Sequence, residues 1–110
     1  SKVNGIEILN YSGDFEPNYS YYPIKVLENF PLSRDALFKK LNENRVMSRR
    51  YFYPLLTDFD AVKKYPNITK PSFPNASELT NQVLCLPIYP DLPLNDVSFI
   101  ANLISSTKAG

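Results

Sequence analysis

The sequence has no histidine and no tryptophan, and it holds one cysteine, three glycines and no long apolar run. Without imidazole the commonest general base is missing, so Ser–His and Cys–His nucleophilic catalysis are excluded. Zinc sites built on cysteine and histidine fall with them. Gly5, Gly13 and Gly110 lie too far apart to form a glycine-rich phosphate cradle. Cys85 has no second cysteine for a disulfide, and between Val83, Leu84 and Leu86 it reads as a small buried hydrophobe rather than a reactive thiol. No segment approaches the roughly 20 apolar residues of a membrane span, and the N-terminus shows no signal-peptide pattern. The net charge of +1 offers no basic surface for nucleic acid.

The composition that remains, 44% apolar over 110 residues, describes one soluble globular domain, expected in the cytoplasm. Glycosylation-type tripeptides begin at Asn10, Asn18, Asn67 and Asn75, but chance supplies such matches in a chain this rich in Asn, Ser and Thr. Ser1 to Gly5 reads as the tail of something longer that runs straight into a strand.

Residues Ile6 to Tyr11 are β-branched and aromatic, bounded by Gly5 and Ser12-Gly13-Asp14, and predict a first strand. Asn18 to Leu27 predicts a second, antiparallel to it, with Pro23 marking an edge or a bulge. Ser33 is a good N-cap with Asp35 in the first turn behind it, and Leu37 and Leu41 form the buried stripe of a helix ending over Asn42 to Asn44. Leu32 and Leu37 have the spacing of a hydrophobic staple. Val46 to Tyr53 predicts a third strand closed by Pro54. The polar, proline-punctuated stretch from Thr57 to Pro74 predicts a surface loop with one helical turn near Phe59 to Lys64. Asn75 is the expected N-cap of a short helix to Gln82, and Val83 to Leu86 is a brief apolar strand or extended segment stopped by Pro87 and Pro90. Leu94, Val97, Ile100, Ala101 and Ile104 recur at helical spacing. The sum is an α+β fold, a small mainly antiparallel sheet of three to four strands packed by two to three helices.

Arg49-Arg50-Tyr51-Phe52-Tyr53-Pro54 carries the strongest chemical signal. On a strand, Arg49, Tyr51 and Tyr53 share one face and Arg50 and Phe52 the other. An arginine between phenols suits a phosphate or a cluster of sugar hydroxyls, because the guanidinium fork grips anions in bidentate fashion. Asn18-Tyr19-Ser20-Tyr21-Tyr22 is a second dense group of hydrogen-bonding side chains. Asp58 and Asp60, two apart on a loop, read as solvated carboxylates. An amphipathic strand with a solvated arginine is the plain alternative for the first cluster, and packing for the second.

Taken together these segments resemble one family. Arg49 to Leu55 is similar to the "tRpfFyPlH" stretch of the DegT/DnrJ/StrS sugar aminotransferases. Pro74 to Leu79, followed by Val83 to Pro90, resembles that family's "pnAeeLserVLcLPlyp" signature, and Ser33 to Leu37 opens its "sRdaLfekLkengI" helix. The resemblance spans essentially the whole chain. It implies the C-terminal small, substrate-side domain of a fold-type-I aminotransferase. The large domain, with its Schiff-base lysine and pyridoxal 5'-phosphate, is expected upstream of residue 1. The parent would move an amino group from glutamate to a nucleotide-linked 3-keto or 4-keto deoxysugar, as a homodimer with shared sites. These residues alone would bind no cofactor and carry no catalytic group. Asn18, Tyr19, Ser20, Arg49, Tyr51 and Tyr53 would face the nucleotide-sugar. Leu56 stands where the family often has a histidine, which alters any sugar contact made there. The run Arg49 to Leu56 is similar to members acting on thymidine-diphosphate sugars. A non-catalytic sugar- or protein-binding module is the alternative reading of the same aromatic face.

Overall fold

The computed structural model describes residues 3–8, 10, 13, 21–51, 53–65, 73–89 and 91–108. Three short strands make the sheet: β1 (Ile6–Ile8), β2 (Tyr22–Val26) and β3 (Val83–Leu86), in the order β1-β2-β3 and antiparallel throughout. The registers Ile6↔Val26 and Ile24↔Leu84 place branched side chains on one face, where they join the core, while Ile8, opposite Ile24, stays exposed.

Pro23 therefore lies in the central strand, not at an edge. It pairs with Cys85, whose own N–H and carbonyl turn the other way, to the carbonyl and N–H of Arg49 at 2.8 and 2.9 Å. The missing proline donor thus costs the β2–β3 ladder nothing.

The third strand expected over Val46 to Tyr53 does not form. Only the isolated bridge Arg49↔Cys85 survives, because tight turns flank it: the Ser48 amide bonds the Val46 carbonyl and the Tyr53 amide bonds the Arg50 carbonyl. Aromatic and β-branched propensity yields here to local turn closure. The third strand of the sheet is instead Val83–Leu86.

Four helices stand among the described residues: α1 (Arg34–Glu43), the single turn α2 (Asp60–Lys63), α3 (Pro74–Gln82) and α4 (Leu94–Ser105). A 3-10 turn at Leu56–Asp58 precedes α2. Helix α1 begins as its sequence predicts, with the Ser33 hydroxyl accepting from the Ala36 amide. It ends in a Schellman motif: Arg45 takes φ 63°, its amide bonds the Asn42 carbonyl, and the Val46 amide bonds the Leu41 carbonyl. Leu41 and Val46 both enter the core, which closes the hydrophobic half of that motif.

Helix α3 starts two residues earlier than expected. Phe73 holds the N-cap position without a side-chain hydrogen bond and Pro74 fills the first helical position, so Asn75 lies inside the first turn.

Leu37 and Leu41 of α1 and Ile100 and Ile104 of α4 cover the core face, with Leu37, Leu41 and Leu84 completely buried. Gly5 makes the entry to β1 possible. It has φ 81°, and a Cβ there would stand 2.5 Å from the Phe30 backbone. The opposite face of the sheet, with Pro23, Lys25, Val83 and Cys85, meets α3 and leaves a groove. No described helix is long and apolar enough to cross a membrane.

Candidate functional site

The groove is about 580 Å³ and lies between the outer face of the sheet, α3 and the chain after Arg49. Tyr21, Pro23, Tyr51, Leu79, Val83 and Cys85 supply much of its lining. Tyr21 and Tyr51 meet edge to face, with ring centroids 5.1 Å apart at 65°. At another point of the lining Lys25 pairs with Glu7 at 3.2 Å. Cys85 is buried on the groove floor, as its apolar neighbours predict, and desolvation pushes its thiol pKa up, which favours the protonated form.

Three arginines surround this region and the structure gives them different tasks. Arg34 is 4% exposed. Its Nη1 donates to the carbonyls of Thr80 and Val83 at 2.7 and 3.0 Å, and its Nε donates to Asp35 at 2.8 Å. It thereby caps the C-terminal end of α3, where the helix dipole favours a cation. Arg50 lies over the rings of Phe38 and Tyr53, 4.8 Å from each centroid, and shares the same Asp35 oxygen at 3.2 Å. Arg34 also lies 4.9 Å from the Tyr53 centroid. Partial burial would raise the Asp35 pKa, but the hydrogen bonds and charges of Arg50 and Arg34 outweigh it and hold the carboxyl below its ordinary value.

Arg49 is the exception. It is exposed, its Nη1 donates to the Tyr51 hydroxyl at 3.2 Å, and no carboxylate lies within ion-pair distance of it among the described residues.

The sequence-predicted site residues therefore divide. Arg49 and Tyr51 come together through the 3.2 Å hydrogen bond, and of the two Tyr51 lines the groove. Tyr53 does not join them, because no strand forms to alternate the side chains; its ring stacks on Arg34 and Arg50 instead. Asn18, Tyr19 and Ser20 lie outside the described residues, as does Phe52. Asp60 faces solvent beside Lys63 at 3.3 Å, and Asp58 is exposed in the 3-10 turn, as expected of loop carboxylates. Leu56, in the place where a histidine was looked for, is 67% exposed. Arg34 was missed as a key residue. Its signal was a cation at the first helical position, where the dipole disfavours positive charge and a specific partner is needed to hold it.

No group of three or more potential metal ligands occurs among the described residues. Of the described lysines only Lys25 and Lys40 are half-buried, and both ammonium groups are engaged, by Glu7 at 3.2 Å and by the Thr107 hydroxyl at 2.6 Å.

Comparison with known proteins agrees with the motif order. The model of the DegT/DnrJ/EryC1/StrS aminotransferase family matches residues 2–105. A dTDP-4-amino-4,6-dideoxy-D-glucose transaminase of Shigella dysenteriae is 40% identical over 106 residues, which cover 96% of this chain and 28% of that protein. A protein of the same description from Escherichia coli is 36% identical over 100 residues, covering 91% of this chain and 27% of its own length. The chain thus spans under a third of the length of these curated relatives. On the extent of the family match and on these identities, the chain belongs to the DegT/DnrJ/EryC1/StrS aminotransferase family.

Proposed function

We propose that these residues form the small, substrate-side domain of a pyridoxal-phosphate-dependent aminotransferase. The enzyme replaces the keto oxygen of a nucleotide-linked keto-deoxysugar with an amino group drawn from glutamate, which leaves as 2-oxoglutarate. The observation that carries the reading is Arg49, exposed and without a carboxylate partner among the described residues, donating to the hydroxyl of Tyr51, whose ring lines an apolar groove. That is the pairing a sugar-nucleotide asks for: a fork of N–H donors for phosphate oxygens and a phenol for a hydroxyl or a ring. Membership of the family and the names of the two relatives point to the same substrate class.

Within this reading Arg49 holds the anionic part of the substrate, and Tyr51 lends its ring as wall and its hydroxyl as partner to Arg49. Asn18, Tyr19 and Ser20 contribute sugar contacts by resemblance. Tyr53 supports the site from behind, keeping Arg50 and Arg34 in place.

Pyridoxal phosphate supplies the electron sink for amino transfer when it is bound. The residues described here do not fit it: the two half-buried lysines are engaged elsewhere, and the sequence has no glycine-rich phosphate cradle. The cofactor site is assigned to the further length that the relatives possess, with a homodimer completing the shared sites.

The test is direct. The longer protein carrying this sequence is incubated with glutamate and dTDP-4-keto-6-deoxyglucose, and the amino-sugar is sought by mass spectrometry alongside a lysine-aldimine absorbance band. Amine product and the band are expected, and neither from the 110-residue chain alone. A longer protein with no bound cofactor and no amine product would end the proposal.

A further inference from the structure

We infer that Arg50 is a positioning residue for the substrate. It touches no part of the nucleotide-sugar and fixes the direction in which its two neighbours, Arg49 and Tyr51, present their guanidinium and phenol. The inference rests on the reading above, in which that pair meets the substrate.

The first argument is where this segment gets its order. The described residues between Val46 and Pro54 form no strand, and Arg49 joins the sheet through an isolated bridge, its amide and carbonyl bonded to Cys85 at 2.9 and 2.8 Å. One bridged residue fixes a point on the chain but not the course of the residues after it. Arg50 supplies a second tie. Its Nη1 donates to the Asp35 carboxylate at 3.2 Å, and its guanidinium carbon lies 4.8 Å from the ring centroids of both Phe38 and Tyr53. Asp35 and Phe38 stand about one turn apart on α1, which Leu37 and Leu41 root in the core. Tyr53 gives its amide to the Arg50 carbonyl at 3.2 Å, and its ring also meets the buried Arg34. The groups that hold Arg50 are thus anchored in turn.

The second argument is direction and charge. Arg50 turns towards α1, while the residues on either side of it meet each other, Arg49 Nη1 donating to the Tyr51 hydroxyl at 3.2 Å. Pinning the middle residue of the three sets the aim of the outer two. Asp35 also takes up the charge of Arg50 as well as that of Arg34. Of Arg34, Arg49 and Arg50, only Arg49 is left without a carboxylate among the described residues. The task suits a planar fork, which can give an edge to a carboxylate while its faces lie against rings. A lysine ammonium has no such plane and would give up one contact for the other.

The experiment uses the longer protein that carries this sequence. Binding of dTDP-4-keto-6-deoxyglucose is followed by calorimetry, and the reaction with glutamate alone by the cofactor's absorbance. Arg50→Gln should weaken the nucleotide-sugar about tenfold, as loss of one charge-assisted hydrogen bond would, and leave the glutamate rate within about twofold. Arg50→Lys should lose nearly as much, and full affinity in that variant would overturn the inference, since charge alone would then suffice. Phe38→Leu, which removes one ring from Arg50, should weaken binding about threefold. Combining Arg50→Gln with Arg49→Gln decides whether one residue acts through the other. The double variant should bind as Arg49→Gln does, and losses that multiply would make Arg50 a substrate contact in its own right and overturn the inference. Equal losses in binding and in the glutamate rate would overturn it too, leaving Arg50 a support of the fold. Amino transfer with unchanged binding in both Arg50 variants would remove this inference alone. The coupled binding losses without amino transfer would remove only the transaminase reading, and no binding of the nucleotide-sugar at all would remove both.

Discussion

Replacing Arg34 with methionine keeps the bulk and the unbranched stem of the side chain but withdraws every donor. The native guanidinium is buried and gives one nitrogen to the carbonyls of Thr80 and Val83, at 2.7 and 3.0 Å, and another to Asp35. Hydrogen bonds from a charged group are worth about 1.5–3 kcal/mol each, and breaking a buried charged arrangement typically costs about 3–5 kcal/mol in all. Because the Asp35 carboxylate is mostly exposed, its bond adds little, and the two carbonyls at the α3–β3 junction dominate. A loss of about 3 kcal/mol is expected. With a urea m-value of about 1–2 kcal/mol per molar for a domain of this size, the midpoint should fall by about 2 M. Arg34→Lys should recover only part of this, since an ammonium keeps the charge but cannot reproduce the planar fork. The assay is urea unfolding followed by circular dichroism. A methionine variant within about 0.5 kcal/mol of the parent would refute the argument that Arg34 holds the junction, since that is the range of ordinary surface substitutions.

Two further outcomes follow from local geometry. Arg45→Gly should raise stability by about 0.5–1 kcal/mol: a left-handed conformation costs an L-residue about 1–2 kcal/mol, and part of that relief is offset by the greater freedom of unfolded glycine. Thermal melting should show a rise of a few degrees, and a fall would contradict the φ of 63° assigned to this position. The Asp35 carboxyl titrates lower in the folded chain than in the unfolded one, so its contribution is in full force above the ordinary aspartate pKa and is lost as pH falls through the lowered value. Asp35→Asn should therefore flatten the decline of stability at pH below about 4, read from urea midpoints across that range, and an unchanged acid limb would count against the shared ion pair.

The parts legible in the sequence are those set by near neighbours. Helix α1 was readable from Ser33, Asp35 and the Leu37–Leu41 stripe, all within ten residues of one another, and the cap contact confirms the first of these. Strand β3 was readable because Val83-Leu84-Cys85-Leu86 is apolar and stopped by Pro87. The segment from Val46 to Tyr53 was misread because its composition favours a strand, while its amides close two turns that propensity does not reveal. Tyr53 moved with it, from a predicted sugar face to a stack on two guanidinium groups. Arg34 was illegible for another reason. Its carbonyl partners lie 46 and 49 residues away, and only the packing of α1 against the end of α3 brings them within reach. The same holds for Tyr21 and Tyr51, which the chain separates widely and the groove brings together.

One consequence of the junction beside β3 concerns how such a small sheet stays out of aggregates. A border strand ordinarily offers a row of vacant amides and carbonyls to any passing extended chain. Here the outward-pointing groups of Val83 and Cys85 are all occupied without a neighbouring strand. The Val83 amide bonds the Leu79 carbonyl, the Val83 carbonyl receives Arg34, and both polar groups of Cys85 are taken by Arg49. A helix end, a guanidinium and a single bridged residue thus seal that margin, which can recruit no foreign strand without first releasing one of them.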